Sequence, residues 1–187
     1  MARPKDQTER RRDLVGAATR AIVSGGVAGL RVRDVAREAR LSPSLVSYYY
    51  RSLDDLVVDV HADAVRRFYS ARRAAIERVD DPDAQLVELA YRGVPDSEDD
   101  LLCRVLYELH LHAARSSAHA ALMTSLWEHE VSLYELVLAR GVARGDVTLR
   151  ASAREVAETV VALEDAVGLH VVGRNANLSV ARARPTV

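Results

Sequence analysis

Cysteine is nearly missing from this chain. Cys103 is the only one, so no internal disulfide can form and no thiolate zinc cluster is available. Lysine is nearly missing too: Lys5 stands alone among 26 basic residues and the other 25 are Arg, a bias whose plain reading is genomic base composition. No apolar run approaches the ~20 residues of a membrane-spanning helix. The opening Met1-Ala2-Arg3-Pro4-Lys5 passes into Arg10-Arg11-Arg12 with no apolar core between, so no secretory leader is expected and a cytoplasmic location is. No nucleophile elbow, phosphate-cradling glycine loop or paired acid–base signature occurs, and the sequence gives an enzyme no support.

What the chain does hold is 187 residues, 20.6 kDa, 49% hydrophobic and 28% charged. That is too apolar for a disordered chain. It is also long enough to bury roughly 70% of its unfolded surface. The formal net charge of −1 conceals a division. Residues 1–52 carry +6, whereas residues 53–187 carry −7. A basic head on an acidic body suggests a polyanionic partner, most often nucleic acid, although +6 is also compatible with an ordinary solvated surface.

The apolar spacing reads as helix throughout, with no strand required. Over residues 9–24, Leu14, Ala17, Ala18, Ala21 and Ile22 share one face, and Ser24-Gly25-Gly26 ends the helix. A short helix follows from Arg31 to Ala39, and a third begins after Ser42-Pro43 and ends near Tyr49. Ser52 caps a helix of some 25 residues that stops at Asp80-Asp81-Pro82. Further helices are predicted over about 83–91, 98–115, 118–142 and 152–173, the last with a Ser152/Glu155 capping box. The tail from Arg174 to Val187 is expected to fray.

The second and third helices, joined by a tight turn, form a helix-turn-helix candidate. Val35, Ala36 and Ala39 are small enough to pack on the first helix. Ser42, Pro43, Ser44, Leu45, Ser47 and Tyr49 face outward with Val46 inward, the short side chains that a major groove admits. Arg31, Arg33, Arg37, Arg40 and Arg51 flank the unit, placed to meet phosphates.

These residues resemble a family. Arg10-Arg11-Arg12-Asp13-Leu14, Gly29 to Ala36 and Leu41 to Leu56 are similar to the DNA-binding domain of the tetracycline-repressor (TetR-like) family, and Ser47-Tyr48-Tyr49-Tyr50 is most similar to its betaine-repressor branch. The resemblance implies an all-α homodimer. A helix-turn-helix domain over 1–52 would bind a double-stranded operator, and a helical domain over 53–187 would dimerise and hold a small-molecule effector. It implies DNA contacts from Arg31, Arg33, Ser42, Pro43, Ser44, Leu45, Ser47, Tyr48, Tyr49 and Arg51, with Tyr48 half-buried. No cofactor, no metal and no membrane partner is expected.

Four positions depart from the family pattern. Arg40 stands where the turn usually has Gly, at a cost of roughly 1–2 kcal/mol if the backbone is left-handed. Arg31 replaces a capping Thr, worth about 1 kcal/mol. Leu53 replaces a phosphate-facing Lys, and Ser47 replaces a Tyr.

The long later helices have broad apolar faces. Leu126, Tyr134 and Leu138 on one, with Val160, Val161, Val167 and Leu169 on the other, are expected at a four-helix dimer interface, unless they only fill the monomer core. An effector pocket is expected among helices 53–79, 98–115 and 118–142. Tyr107, Glu108, His110 and Trp127 are its candidate contacts, with a cation over the aromatic rings as one reading and plain core packing as the other. His110 and His112 point to different helix faces, and the remaining His residues lack ligand spacing, so no metal is expected. Cys103 reads as a buried, inert thiol. Three classes remain: a ligand-gated DNA-binding repressor, a helical bundle that has lost DNA binding, and an enzyme on a helical scaffold. The basic head with its helix-turn-helix favours the first.

Overall fold

A computed structural model describes residues 4–184, with side chains from residue 7 onward. The leader reading at residues 1–3 and the end of the tail at 185–187 lie outside the described residues. The helices are α1 Pro4–Gly25, α2 Val32–Ala39, α3 Pro43–Tyr49, α4 Leu53–Ile76, α5 Pro82–Gly93, α6 Leu101–Ala113, α7 Ser117–Arg144, α8 Ala153–Val172 and α9 Val180–Ala183. No strand occurs among the described residues, and the fold is all-α. None of the helices is long and apolar enough to cross a membrane.

Local chemistry sets most of the ends. Ser42 Oγ accepts from the Leu45 amide at 3.3 Å and starts α3. Asp81 does the same for Ala84 at 2.9 Å, with Pro82 opening α5. Asp100 accepts from the amides of Leu102 and Cys103 at the head of α6. Ser152 and Glu155 form the reciprocal box at α8. These caps satisfy amides that a helix start leaves without partners. α1 begins at Pro4, earlier than the apolar spacing predicted. Spacing marks only the turns that touch a core, and Pro is compatible with a first turn.

The chain forms two compact units. One gathers the residues up to Val65 with Arg104–Leu122, and the other Arg66–Cys103 with the residues from Met123 onward. In the first, α2 rests on α1 through Val35 and Ala36, and α3 rests on α2. Leu14, Ala17, Ala18 and Ile22 of α1, Val46 of α3 and Leu56 and Val60 of α4 complete that core. In the second, Ile76, Leu89, Val131, Leu133, Tyr134, Val137, Leu138, Ala157 and Val161 form one buried cluster.

Two expectations change here. The tail does not simply fray: α9 packs on α8. Arg184 donates to the Val94 carbonyl at 2.6 Å and lies 4.4 Å over the Tyr91 ring, while Arg174 pairs with Glu98 and Asp99. Two guanidinium groups supply the anchors that apolar spacing could not reveal. Of the side chains expected at a dimer interface, Leu126, Tyr134, Leu138 and Val161 are buried within the chain itself. The large apolar side chains left exposed on α7 and α8 are Met123, Leu136, Val142, Leu163 and Leu169.

Candidate nucleic-acid interface

The turn between α2 and α3 is built on Arg40. Its φ of 55° and ψ of 44° are left-handed, the conformation for which a helix end normally uses Gly. The Arg40 amide bonds to the Arg37 carbonyl and the Leu41 amide to the Ala36 carbonyl, at 3.2 and 2.9 Å. That pair of bonds closes the end of α2 and reverses the chain. The turn therefore keeps its geometry despite the side chain. At the other end of α2, Arg31 stands at the cap. A guanidinium cannot accept a hydrogen bond. Only half of a capping box forms there, with the Arg31 amide donating to Asp34 at 3.1 Å.

α3 presents one face outward. Ser42, Pro43, Ser44, Ser47 and Tyr48 are exposed, Leu45 and Tyr49 are intermediate and Val46 is buried. Tyr48 is 70% exposed, which corrects its expected half-burial. Its ring stands edge-on to Tyr49, 5.2 Å between centroids, and Tyr49 is the partly covered member of the pair. Around this face Arg31, Arg33, Arg37, Arg40 and Arg51 are all exposed. Arg37 pairs with Asp34, whereas Arg33, Arg40 and Arg51 meet no acidic side chain among the described residues. Short polar side chains flanked by guanidinium groups can read base edges while holding phosphates.

The effector candidates divide between the two units. Tyr107, Glu108 and His110 lie on the part of α6 in the first unit, each partly buried. Tyr107 meets His110 edge-on, 6.0 Å between centroids, and Glu108 lies beside Gly26. Trp127 belongs to the second unit, where it packs against the Leu- and Val-rich cluster, the core-packing alternative raised for it.

Spacing along the chain missed a histidine cluster. His61 of α4 and His119 of α7 stack, with their Nδ1 atoms 2.9 Å apart. His110 lies 6.3 Å from His61, and His112 lies 5.0 Å from His119. The Nδ1 contact needs one N–H donor and one bare acceptor, so both rings cannot be protonated at once. Burial, then neighbouring His119, His110 and His112, pushes His61 down to about 4. Burial also lowers His110, and lowers His119 with help from His112 against Asp54. Among the described residues no group of three or more His, Cys, Asp or Glu is disposed to hold a metal ion. Cys103 is buried, and burial followed by Asp100 pushes its thiol up, which disfavours the reactive thiolate.

An all-helical chain whose head is a helix-turn-helix with a cationic rim is built as a DNA-binding regulator. Residues 14–60 match the bacterial regulatory proteins of the tetR family. The regulator BetI of Brucella canis is 24% identical, over 92% of this chain and 86% of its own length. That of Brucella anthropi is 34% identical over 39% of this chain and 38% of its own. Among solved structures, a putative transcriptional regulator of Saccharomonospora viridis in complex with choline superposes with a TM-score of 0.86 at 22% identity, covering 95% of this chain and 92% of that one. A TetR transcription regulator of Haloarcula marismortui gives 0.82 at 21%, covering 94% and 91%. Residues 14–60 thus carry a DNA-binding domain of the tetR type, and the relatives similar to most of the chain are transcriptional regulators.

Proposed function

We propose that this regulator is a repressor. It binds a pseudo-palindromic operator as a homodimer, in the cytoplasm, and is released by a small molecule. The observation that carries the reading is the exposed face of α3, with Ser44, Ser47 and Tyr48 outward and Arg33, Arg40 and Arg51 exposed beside it, without an acidic partner among the described residues. The DNA contacts proposed are Arg31, Arg33, Ser42, Pro43, Ser44, Leu45, Ser47, Tyr48, Tyr49 and Arg51, on a DNA-binding domain over 1–52 and an effector and dimerisation domain over 53–187. Dimerisation through α8 is supported by Thr159, Ala162, Leu163, Ala166 and Leu169, all exposed at helical spacing on one side. A helix face of that kind suits a self-complementary partner.

Tyr107, Glu108 and His110 are the proposed effector contacts of the first unit, and Trp127 that of the second. The choline bound by the S. viridis regulator makes a quaternary ammonium the first compound class to try. An effector releases DNA only if it binds the DNA-incompetent conformation more tightly than the competent one.

The test is selection of bound sites from random duplex DNA, followed by titration of the recovered duplex across salt. A symmetric site with half-sites roughly 34–36 Å apart, bound by two protomers with a steep salt slope, is expected. Weak binding without sequence preference would instead make the chain a helical bundle that has lost DNA recognition.

A further inference from the structure

α3 is seven residues long and buries one of its own side chains, Val46. Helix propensity does little to hold so short an element. Ser42 caps its N-terminal end, but its last turn contains no basic residue. Arg11 supplies that charge from α1. Its Nη2 donates to the carbonyl oxygen of Tyr49 at 3.0 Å, one of the carbonyls that a helix end leaves without a partner. A cation there also opposes the negative end of the helix dipole. The same guanidinium lies 4.7 Å over the Tyr50 ring, and its Nη1 is 3.7 Å from a carboxylate oxygen of Asp59 on α4. That oxygen also accepts the Tyr50 hydroxyl proton at 2.7 Å. Tyr50 is itself nearly buried, and burial, then Asp59, keeps its phenol protonated and donating. Arg11, Tyr50 and Asp59 thus close a ring of contacts joining α1, the end of α3 and α4.

We propose that Arg11, acting through Tyr50 and Asp59, is a positioning residue for DNA recognition. It fixes the angle at which α3 presents its exposed face, and it makes no phosphate contact of its own. The inference rests on the DNA-reading role of α3. Within the Arg10-Arg11-Arg12 run, Arg11 is distinguished by having its guanidinium committed on three sides. A phosphate-binding arginine contributes about 0.9 to the slope of log affinity against log salt. A positioning arginine contributes to affinity for the right sequence and leaves that slope alone.

The full chain is titrated with the duplex recovered by selection and with a scrambled duplex of the same length, each over roughly 50 to 200 mM salt. R11A is expected to bind the selected duplex about tenfold more weakly, the scale of one lost charge-assisted hydrogen bond. Y50F and D59N are expected to lose about threefold on the same scale. All three should keep the wild-type salt slope and the wild-type affinity for scrambled DNA. R11K, which keeps the charge but not the flat, multi-donor group, should recover only part of the loss. Y50F removes a single oxygen, so the proposal stays testable even if R11A is poorly folded. A fall of about one in the R11A slope, with equal losses on both duplexes, would make Arg11 a phosphate contact and overturn the proposal. Wild-type affinity in R11A and Y50F would overturn it as well. A wild-type chain that prefers no duplex would overturn both this inference and the function beneath it, an outcome distinct from failure of the variants alone.

Discussion

Arg72 of α4 and Glu164 of α8, 92 positions apart, meet inside the second unit, where one guanidinium nitrogen donates to both carboxylate oxygens at 3.2 and 2.9 Å. The other terminal nitrogen bonds to Glu130 of α7 at 2.6 Å. The Tyr134 hydroxyl also bonds to Glu164, and the rings of Phe68 and Tyr134 lie 5.4 and 5.3 Å from the guanidinium. Arg72 is 1% exposed. One cation against two carboxylates leaves a buried excess of negative charge, which the low dielectric penalises unless a proton stays.

Gly93, at the end of α5, makes room for that cluster. A Cβ there would fall on the Glu164 carboxylate. G93A should lower the unfolding free energy by about 3 kcal/mol, through overpacking and displacement of a buried ion pair. G25A is the control, because a Cβ at Gly25 meets nothing within 4 Å. Urea unfolding of both variants checks this, and equal stabilities would refute the steric account.

Glu130 should make stability fall as pH rises. Burial, chiefly, pushes its carboxyl from 4.5 up to about 8. The folded state then keeps a proton that the unfolded state releases. The contribution is whole below pH 4.5 and is lost as pH climbs through 8. E130Q is neutral at every pH and should lose less stability than wild type between pH 5 and pH 8. Parallel curves for the two proteins would mean that Glu130 is ionised in the fold.

The histidine cluster acts in the opposite direction. His61 titrates at about 4 when folded against 6.5 ordinarily, so its contribution is whole above 6.5 and is lost as pH falls toward 4. H61Q should therefore show a shallower loss of stability over that interval. An unchanged acid limb in chemical denaturation would assign the loss to other groups.

Arg40→Gly should stabilise the head. The residue is exposed and left-handed, a conformation that costs a non-glycine residue roughly 1–2 kcal/mol. A rise of about 1 kcal/mol in stability is expected, read as a higher Tm. A lower Tm would show that the Arg40 side chain makes a compensating contact.

DNA contacts should separate by salt. R33A and R51A should weaken binding to every duplex and each lower the salt slope by about 0.9. Changes at Ser44 and Tyr49 should shift the preferred bases and leave the slope. Titration of the selected duplex and single-base variants distinguishes the two classes.

Much of the fold was legible because its signals are local. Ser42-Pro43 and the Ser152/Glu155 box mark helix starts within four residues, Asp80-Asp81-Pro82 marks a helix end, and Leu14, Ala18 and Ile22 mark a buried face by spacing alone. The exposed face of α3 was legible for the same reason, being a run of consecutive residues on one short helix. The exception is Tyr48, expected half-buried and found 70% exposed.

The remainder depends on tertiary structure. Arg72, Glu130 and Glu164 carry no mark of burial in the sequence, since each is an ordinary solvated residue on its own helix until three helices converge. His61 and His119 are 58 positions apart, beyond the reach of any periodicity. Leu138 and Leu163 look alike in sequence, yet one is 5% and the other 60% exposed. The sequence by itself determined the helices, the basic head and the kind of face α3 presents, because capping, spacing and composition act over a few residues. Which apolar faces stay open, which charges are buried together and how Arg11 meets the end of α3 were decided only by packing, because contacts between distant segments exist only once the chain has closed on itself.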